Sequence, residues 1–365
     1  METPLSFRSV LIFGGAGFVG SNWAYHLLKT TDARVHIVDN LSRRGVGSNL
    51  EWLRRECQDS ERLKITVGDI RDARLVEKAA QSATEIYQFA AQVAVTSSVA
   101  DPYADFEINA MGTLNVLESA RKSPRQPFIL FTSTNKVYGN LESKRLVATP
   151  SRYGAIDRGG VNESEPLDFS SPYGCSKGAA DQYVHDYSRI FALPTVVFRM
   201  SCIAGPRQFG NEDQGWVSHF LYSALEGRPL TIYGDGRQVR DVLAVKDLVL
   251  AFEKARAQME KTSGQIYNVG GGMGNSVSLL ELLAMIEEIT GKRALYSLER
   301  PRPGDQLFYI TDFAKLTGHT GWKPRISVRE TIQTISNWWM DERGCQAGGR
   351  KEFERAVRLP APEIG

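Results

Sequence analysis

The sequence predicts an α/β protein, a doubly wound parallel sheet with a smaller, partly interleaved α/β lobe toward the C-terminus. Three observations predict it. Short apolar runs alternate with longer amphipathic stretches through the first half of the chain, as in successive βαβ units. A glycine-rich turn joins the first apolar run to the first helical stretch. Beyond about residue 203 glycine, proline and charge increase, and the apolar runs become short and dispersed.

SVLIF at 9–13, VHIVD at 35–39, LKITVGD at 63–69, EIYQFAA at 85–91 and FILFTS at 128–133 read as strands buried on both faces. They are short β-branched or aromatic runs, the pattern of a parallel sheet. PTVVFRMS at 194–201 continues the sheet. Helices are expected at 18–30, 104–122 and about 176–191. In the second of these, Phe106, Ala110, Leu114, Leu117 and Ala120 recur at helical spacing. The crossovers should be right-handed. Later, TIYGDG, QVRDVL and QIYNVG read as small pieces flanking a ligand, not as a continuation of the sheet. Helical stretches at 213–227, 246–260, 278–290 and 326–341 surround them.

Bulk properties exclude several classes. The chain has 365 residues, 42% hydrophobic and 24% charged, enough for a sizeable core. A net charge of +2 gives no basic field for nucleic acid. No apolar run reaches the ~20 residues that span a bilayer. The N-terminus enters a strand-like run without a signal-peptide pattern, so a cytoplasmic protein with no membrane partner is expected. Cys57, Cys175, Cys202 and Cys345 show no CxxC spacing, and the five histidines are scattered. Free thiols and no metal site are expected.

Gly14-Gly15-Ala16-Gly17-Phe18-Val19-Gly20 is a GxxGxxG turn between the first strand and the first helix. Gly14 permits the tight turn, Gly17 lets the backbone approach a pyrophosphate, and Gly20 lets helix and strand pack closely. The helix N-terminus offers free N–H groups to phosphates. The sheet is therefore expected to be of Rossmann type. Asp39 ends the second strand, where a carboxylate accepts both ribose hydroxyls and repels a 2′-phosphate. That favours NAD over NADP, with Arg43-Arg44 as the competing observation. Asp69-Ile70 is placed to contact adenine, and the alternative for Asp69 is a helix N-cap for 72–80. The expected division is a dinucleotide-binding domain at 1–203, a second lobe at 204–342 and a polar tail at 343–365, whose order the sequence leaves open.

Tyr173-Gly174-Cys175-Ser176-Lys177 gives YxxxK on one helical face. A free phenol, with pKa ~10, is a poor base at neutral pH, and a nearby ammonium lowers it. Thr132-Ser133-Thr134 closes the fifth strand, at the sheet edge where ligands bind. A hydroxyl there can hold a substrate hydroxyl and share its proton with Tyr173.

GGAGFVG, VDN, GDIRD, TSTNKVYG and SPYGCSK together resemble the extended short-chain dehydrogenases, over about residues 8–340. The resemblance implies NAD held by Gly14, Gly17, Gly20, Asp39, Asp69, Ala90, Asn109, Tyr173 and Lys177. Around these it implies Phe18, Val19, Asn40, Ser42, Arg43, Ile70, Ala91, Gln92 and Thr132. It implies Thr134, Tyr173 and Lys177 as the catalytic trio. Within the family, TSTNKVYG, SSPYGCSKGAADQYVHDYSRIF, RQFGNEDQGWV and GDGRQVRDVL resemble the CDP-tyvelose (CDP-paratose) 2-epimerases. This implies a nucleotide-sugar substrate, with a CDP-hexose favoured. The family's 4,6-dehydratases carry an Asp-Glu pair after the strand-end threonine, and Asn135 and Lys136 stand there in this chain. By resemblance, Arg240 and Arg302 pair with the substrate diphosphate, and Thr134, Asn135, Gln214, Gly215 and Trp216 approach sugar or base. Cys202 stands where the family often has a phosphate-contacting Asn. A homodimer or homotetramer is implied, and the long 104–122 and 176–191 helices could supply its face, although burial in one subunit explains their patterning equally well. The alternatives are a UDP-hexose or UDP-uronate 4-epimerase and, in another class, a catalytically silent NAD-binding regulator.

Overall fold

A computed structural model describes residues 8–356 other than 58, 158 and 303, and the side chains of these apart from 60 and 344–356. Seven parallel strands form the main sheet: β1 (Ser9–Phe13), β2 (Arg34–Asp39), β3 (Leu63–Val67), β4 (Glu85–Gln88), β5 (Phe128–Thr134), β6 (Thr195–Met200) and β7 (Gln265–Val269). Their order is β7-β6-β5-β4-β1-β2-β3, and the chain reverses direction across the sheet beside β1. A crevice opens at the strand C-terminal ends at such a reversal.

Alternation along each strand feeds two cores. From β1, Val10 and Ile12 face one side, with Trp23, Ala24 and Leu27 of α1 (Phe18–Thr30) and Leu50 and Leu53 of α2 (Val46–Glu56). Leu11 and Phe13 face the other, with Val76 and Ala79 of α3 (Ala73–Ala80). That side also holds α4, a compound helix of Pro102–Phe106, a π-helical turn Glu107–Met111, and Gly112–Lys122. It is completed by Ala180, Val184 and Tyr187 of α5 (Ser171–Phe191). Each fully buried aliphatic side chain contributes about 1.5–3 kcal/mol.

Three readings change. LKITVGD, expected buried on both faces, is the edge strand β3, with Lys64 and Val67 exposed. QIYNV at 265–269 is β7, in register with β6 from Gln265 opposite Val196 to Val269 opposite Met200. It is the edge of the main sheet, not a fragment beside a ligand. It escapes periodicity because Asn268 is polar yet fully buried, its amide satisfied by Val161 O at 2.9 Å and the Tyr138 hydroxyl at 2.8 Å. Phe106, expected in the core, is 52% exposed, and Asp105 beside it is 1% exposed. The π-helical turn adds a residue and rotates the preceding turn relative to Leu117 and Ala120.

The chain leaves the sheet after β6, returns through α6 (Val245–Ala257) to β7, and leaves again. The second lobe pairs Leu230–Tyr233 with Tyr296–Glu299, and Val239–Ala244 with Cys202–Ala204, Ser276–Ser278 and Phe308–Tyr309. Its core joins Phe220 and Leu221 of the helix Trp216–Glu226 to Leu282, Ile286, Ile332 and Ile335. The last helix runs Val328–Ala356, so the expected tail begins as helix, and 357–365 lie outside the described residues. Cys57, Cys175 and Cys202 are free thiols, and the Cys345 side chain lies outside the described ones. Among the described residues no helix is long and apolar enough to cross a membrane, and no group of three His, Cys, Asp or Glu could hold a metal.

Candidate active site

A cleft of about 430 Å³ opens at the strand ends, lined on one side by Gly14, Gly17, Phe18, Val19 and Gly20. Gly14 has φ +74°, and a Cβ there would lie 2.7 Å from Ala90 N. A Cβ on Gly20 would lie 2.3 Å from Gly14 O. The turn thus presses the N-terminus of α1 against β1 and β4. Gly17 caps α1 without a side-chain bond, and no acidic residue occupies its first turn. Its amides face the cleft in the manner that suits a pyrophosphate.

Asp39 anchors this wall. One carboxylate oxygen accepts Ala16 N at 3.0 Å, and the other accepts Leu41 N at 2.9 Å. Burial raises its pKa, and these backbone N–H groups and Arg43 oppose the rise. Each oxygen keeps a lone pair for a ribose hydroxyl. Asn40 donates to Asp69 at 2.9 Å, and its own oxygen receives Ser42 N and Oγ. Asp69 also binds the Arg71 side chain at 2.9 Å, which holds its carboxyl at about 2. The capping alternative for Asp69 is corrected. Asp72 caps α3, accepting Arg74 N and Leu75 N. Ile70, Ala90, Ala91, Gln92 and Thr132 complete the lining, with Tyr173 and Lys177 at the far end.

Asn109 is set behind this wall. It is 1% exposed, accepts Gln92 N at 3.0 Å and donates to Gln92 O, Asp105 and Ser176. It supports Gln92 instead of lining the cleft.

Thr134 ends β5, with its hydroxyl close enough to the Tyr173 phenol to favour the phenolate. Burial raises the Tyr173 pKa, the Thr134 bond lowers it, Asp105 raises it and Arg43 lowers it. Lys177 acts elsewhere than expected. Its ammonium donates to Thr132 O at 2.7 Å and sits 4.1 Å from the Phe131 ring centroid. Burial brings its pKa down to about 7, against the pull of Asp181 and Asp105. The cation that eases Tyr173 ionisation is Arg43. Lys177 is left beside the cleft with a proton poised near neutrality. Ser133 Oγ also lines the cleft and is buried with no partner among the described residues. This orphaned hydroxyl, the glycine cradle and the open N-terminus of α1 all fit a dinucleotide.

The expected substrate residues fall into three groups. Gln214 lines the dinucleotide cleft, where Arg43 donates to it. Gly215, at φ +73°, starts the helix that carries Trp216, whose indole N–H donates to Cys202 Sγ at 3.2 Å. Asn135 is 8% exposed and donates to Gln306. Arg240 donates to Asp305 at 2.9 Å and to Gln306 O at 2.5 Å. Lys136 shares Asp305 at 3.8 Å, and burial followed by Arg240 brings its pKa to about 8. Arg302 pairs with Glu212 at 2.8 Å and Asp213 at 3.5 Å. Arg240 and Arg302 are therefore each held by carboxylates at the second-lobe side. Sequence reasoning missed Ser133 as a lining residue, Asp105 and Gln306. Only Ser133 carried a signal, its place between Thr132 and Thr134 at a strand end.

The model of the family described as GDP-mannose 4,6 dehydratase matches residues 11–335. CDP-paratose 2-epimerase of Salmonella typhi is 42% identical over 339 residues, covering 90% of this chain and 98% of that protein. A putative UDP-glucose 4-epimerase of Methanocaldococcus jannaschii is 32% identical, covering 90% of this chain and 97% of its own. Among solved structures, the UDP-glucose 4-epimerase of Thermus thermophilus, complexed with NAD, superposes with a TM-score of 0.75 at 31% identity, covering 91% of this chain and 99% of that one. With a Rossmann sheet, a glycine cradle and Thr134 beside the Tyr173 of YxxxK, the chain belongs to the epimerase/dehydratase family of extended short-chain dehydrogenases, enzymes of sugar nucleotides.

Proposed function

We propose that this enzyme inverts C2 of a CDP-linked hexose of the paratose/tyvelose kind, by oxidising the carbinol and reducing it from the opposite face. One observation carries the reading. Tyr173 stands at the end of a dinucleotide cleft with Thr134 beside its phenol, and Thr134 is followed by Asn135 and Lys136. Water elimination calls for an acid and a base flanking the leaving group, and the two positions after Thr134 hold no carboxylate. Reversible oxidation needs one proton acceptor that can give the proton back. The 42% identity to a CDP-paratose 2-epimerase supports the carbon and the nucleotide.

Gly14, Gly17 and Gly20 would seat the pyrophosphate of NAD, Asp39 the adenosine ribose, and Lys177 and Ser133 the nicotinamide end. Bound there, NAD supplies a hydride acceptor and donor. Tyr173 takes the proton of the sugar hydroxyl while Thr134 orients that hydroxyl. Arg43 adds positive potential beside the phenolate, and Lys177, charged below about pH 7, holds the nicotinamide end. Arg240 and Arg302 exchange their carboxylate partners for the diphosphate, so the nucleotide stays anchored while the keto sugar turns. Tyr173 then returns its proton.

The test is turnover of CDP-paratose or CDP-tyvelose in D₂O, read by NMR. Interconversion at C2 without deuterium at the inverted carbon is expected, and stoichiometric deuterium there would reject direct oxidation. The 32% identity to a UDP-glucose 4-epimerase favours a second reading. Higher kcat/KM on UDP-glucose than on the CDP-sugars would select it. The outer face of α4 and α5 exposes Tyr103 (84%), Phe106, Tyr183 and Ile190 (66%), an apolar surface suited to a second copy of the chain. Light scattering at twice the chain's 40.6 kDa is the expected result.

A further inference from the structure

We propose that Asp105 is a positioning residue of the active site: its buried carboxylate, fixed by Ser176, Gln92 and Asn109, supplies the unmatched negative charge that faces Lys177. The catalytic consequence rests on the proposed function, and the electrostatic claim does not.

The geometry is that of a hub. Asp105 is 1% exposed. It accepts Ser176 Oγ at 2.5 Å, Gln92 Nε2 at 3.0 Å and Asn109 Nδ2 at 3.1 Å. Three donors and no acceptor favour the ionised carboxylate; burial raises its pKa, and Ser176, Lys177 and Gln92 oppose the rise. Ser176 lies between Tyr173 and Lys177 on α5, so its bond fixes the helix turn that carries both. Gln92 lines the cleft, and its side chain also donates to Ala94 O at 2.7 Å. One carboxylate therefore ties the cleft wall to the catalytic helix. An aliphatic residue of the same size could do neither.

The charges around Lys177 single out Asp105. From α5 itself come Tyr173 and Asp181. Asp181 is matched, because Arg199 of β6 binds both its oxygens at 2.9 and 2.8 Å. From β5 come the Phe131 ring and the Thr132 carbonyl. From the segment after β2 comes Arg43, which faces Tyr173. From α4 comes Asp105, which has no cation in salt-bridge contact among the described residues. Burial drives Lys177 toward the neutral amine, and Asp181 and then Asp105 oppose it, Asp105 without a paired cation of its own among the described residues. The same charge raises the Tyr173 pKa, so the carboxylate holds one proton on each partner until a ligand alters the balance.

The experiment is an NMR titration of the full-length enzyme with NAD, labelled at lysine Cε with ¹³C. The Lys177 resonance is assigned by its loss in Lys177→Arg. In Asp105→Asn the Lys177 midpoint is expected to fall by about one pH unit. The high-pH limb of kcat/KM moves by the same amount, with the apparent Tm close to that of the wild type. Ser176→Ala, which removes a hydrogen bond but keeps the charge, leaves the midpoint in place. An unmoved midpoint in Asp105→Asn, or an equal shift in Ser176→Ala, overturns the proposal in favour of a packing role. If Asp105→Asn does not fold, carboxyl ¹³C of the wild type decides, with Asp105 assigned through its own backbone. Ionisation below the Lys177 midpoint upholds the proposal, and ionisation above it overturns it. A wild type inactive on every sugar nucleotide would remove the proposed function and leave this titration readable.

Discussion

At the scale of single residues the chemistry converges on Tyr173. Its phenol is buried and burial raises its pKa above the ordinary value, so the phenolate depends on positive charge nearby. Removing only the hydroxyl, in Tyr173→Phe, should lower kcat by about 10²–10⁴ and leave the NAD content of the purified protein unchanged, read by absorbance after denaturation. Near-normal turnover would assign the base elsewhere. The glycines, Asp39, Thr134, Tyr173 and Lys177 were legible in the sequence because spacing alone fixes where a turn, a strand end and one helical face must lie. Their partners were less so. Lys177 looked like the direct activator of Tyr173, but its contact is a carbonyl, which no spacing rule reports. Nothing in spacing or motif pointed to Asp105, and the rotation at Glu107–Met111 that turns it inward leaves no mark in composition.

The elements carry the site by close approach. Gly20 lies so near Gly14 that a methyl group has no room. Gly20→Ala should lift α1 from the sheet, cost about 1–3 kcal/mol in urea unfolding, and lose bound dinucleotide. Between β2 and β3, His36 bonds the Thr66 hydroxyl at 2.9 Å. Burial, then Lys64, lowers its pKa from 6.5 to about 4. The unfolded chain therefore takes up a proton between those values that the folded chain refuses, so stability falls as pH drops from 6.5 to 4. His36→Gln should flatten that slope in urea unfolding measured across this range. A slope unchanged by the substitution would assign it to other groups. The first six strands were readable because each lies in a β-branched or aromatic run between helical stretches, whereas β7 falls after the change of texture beyond residue 203 and carries the buried Asn268. Its burial depends on Tyr138 and Val161, far away in sequence, and local pattern reading does not see such partners.

For the whole molecule, ligand and fold are linked. A dinucleotide that binds only the folded chain stabilises it by about 2.7 kcal/mol at a hundredfold excess over Kd. Adding NAD to stripped protein should therefore raise Tm, and an unchanged Tm would speak against the cleft as its seat. A fragment ending at 203 should not yield a folded sheet, because it lacks β7 and the fully buried Phe252 of α6. Soluble fragment with native-like near-UV circular dichroism would contradict this. The double passage of the backbone between the two lobes bears on descent as well. A recognition half threaded through its partner cannot be traded as a cassette by recombination at one junction. New sugar preferences in this lineage must arise by substitutions inside an unbroken gene, so relatives with different substrates should align along their full lengths.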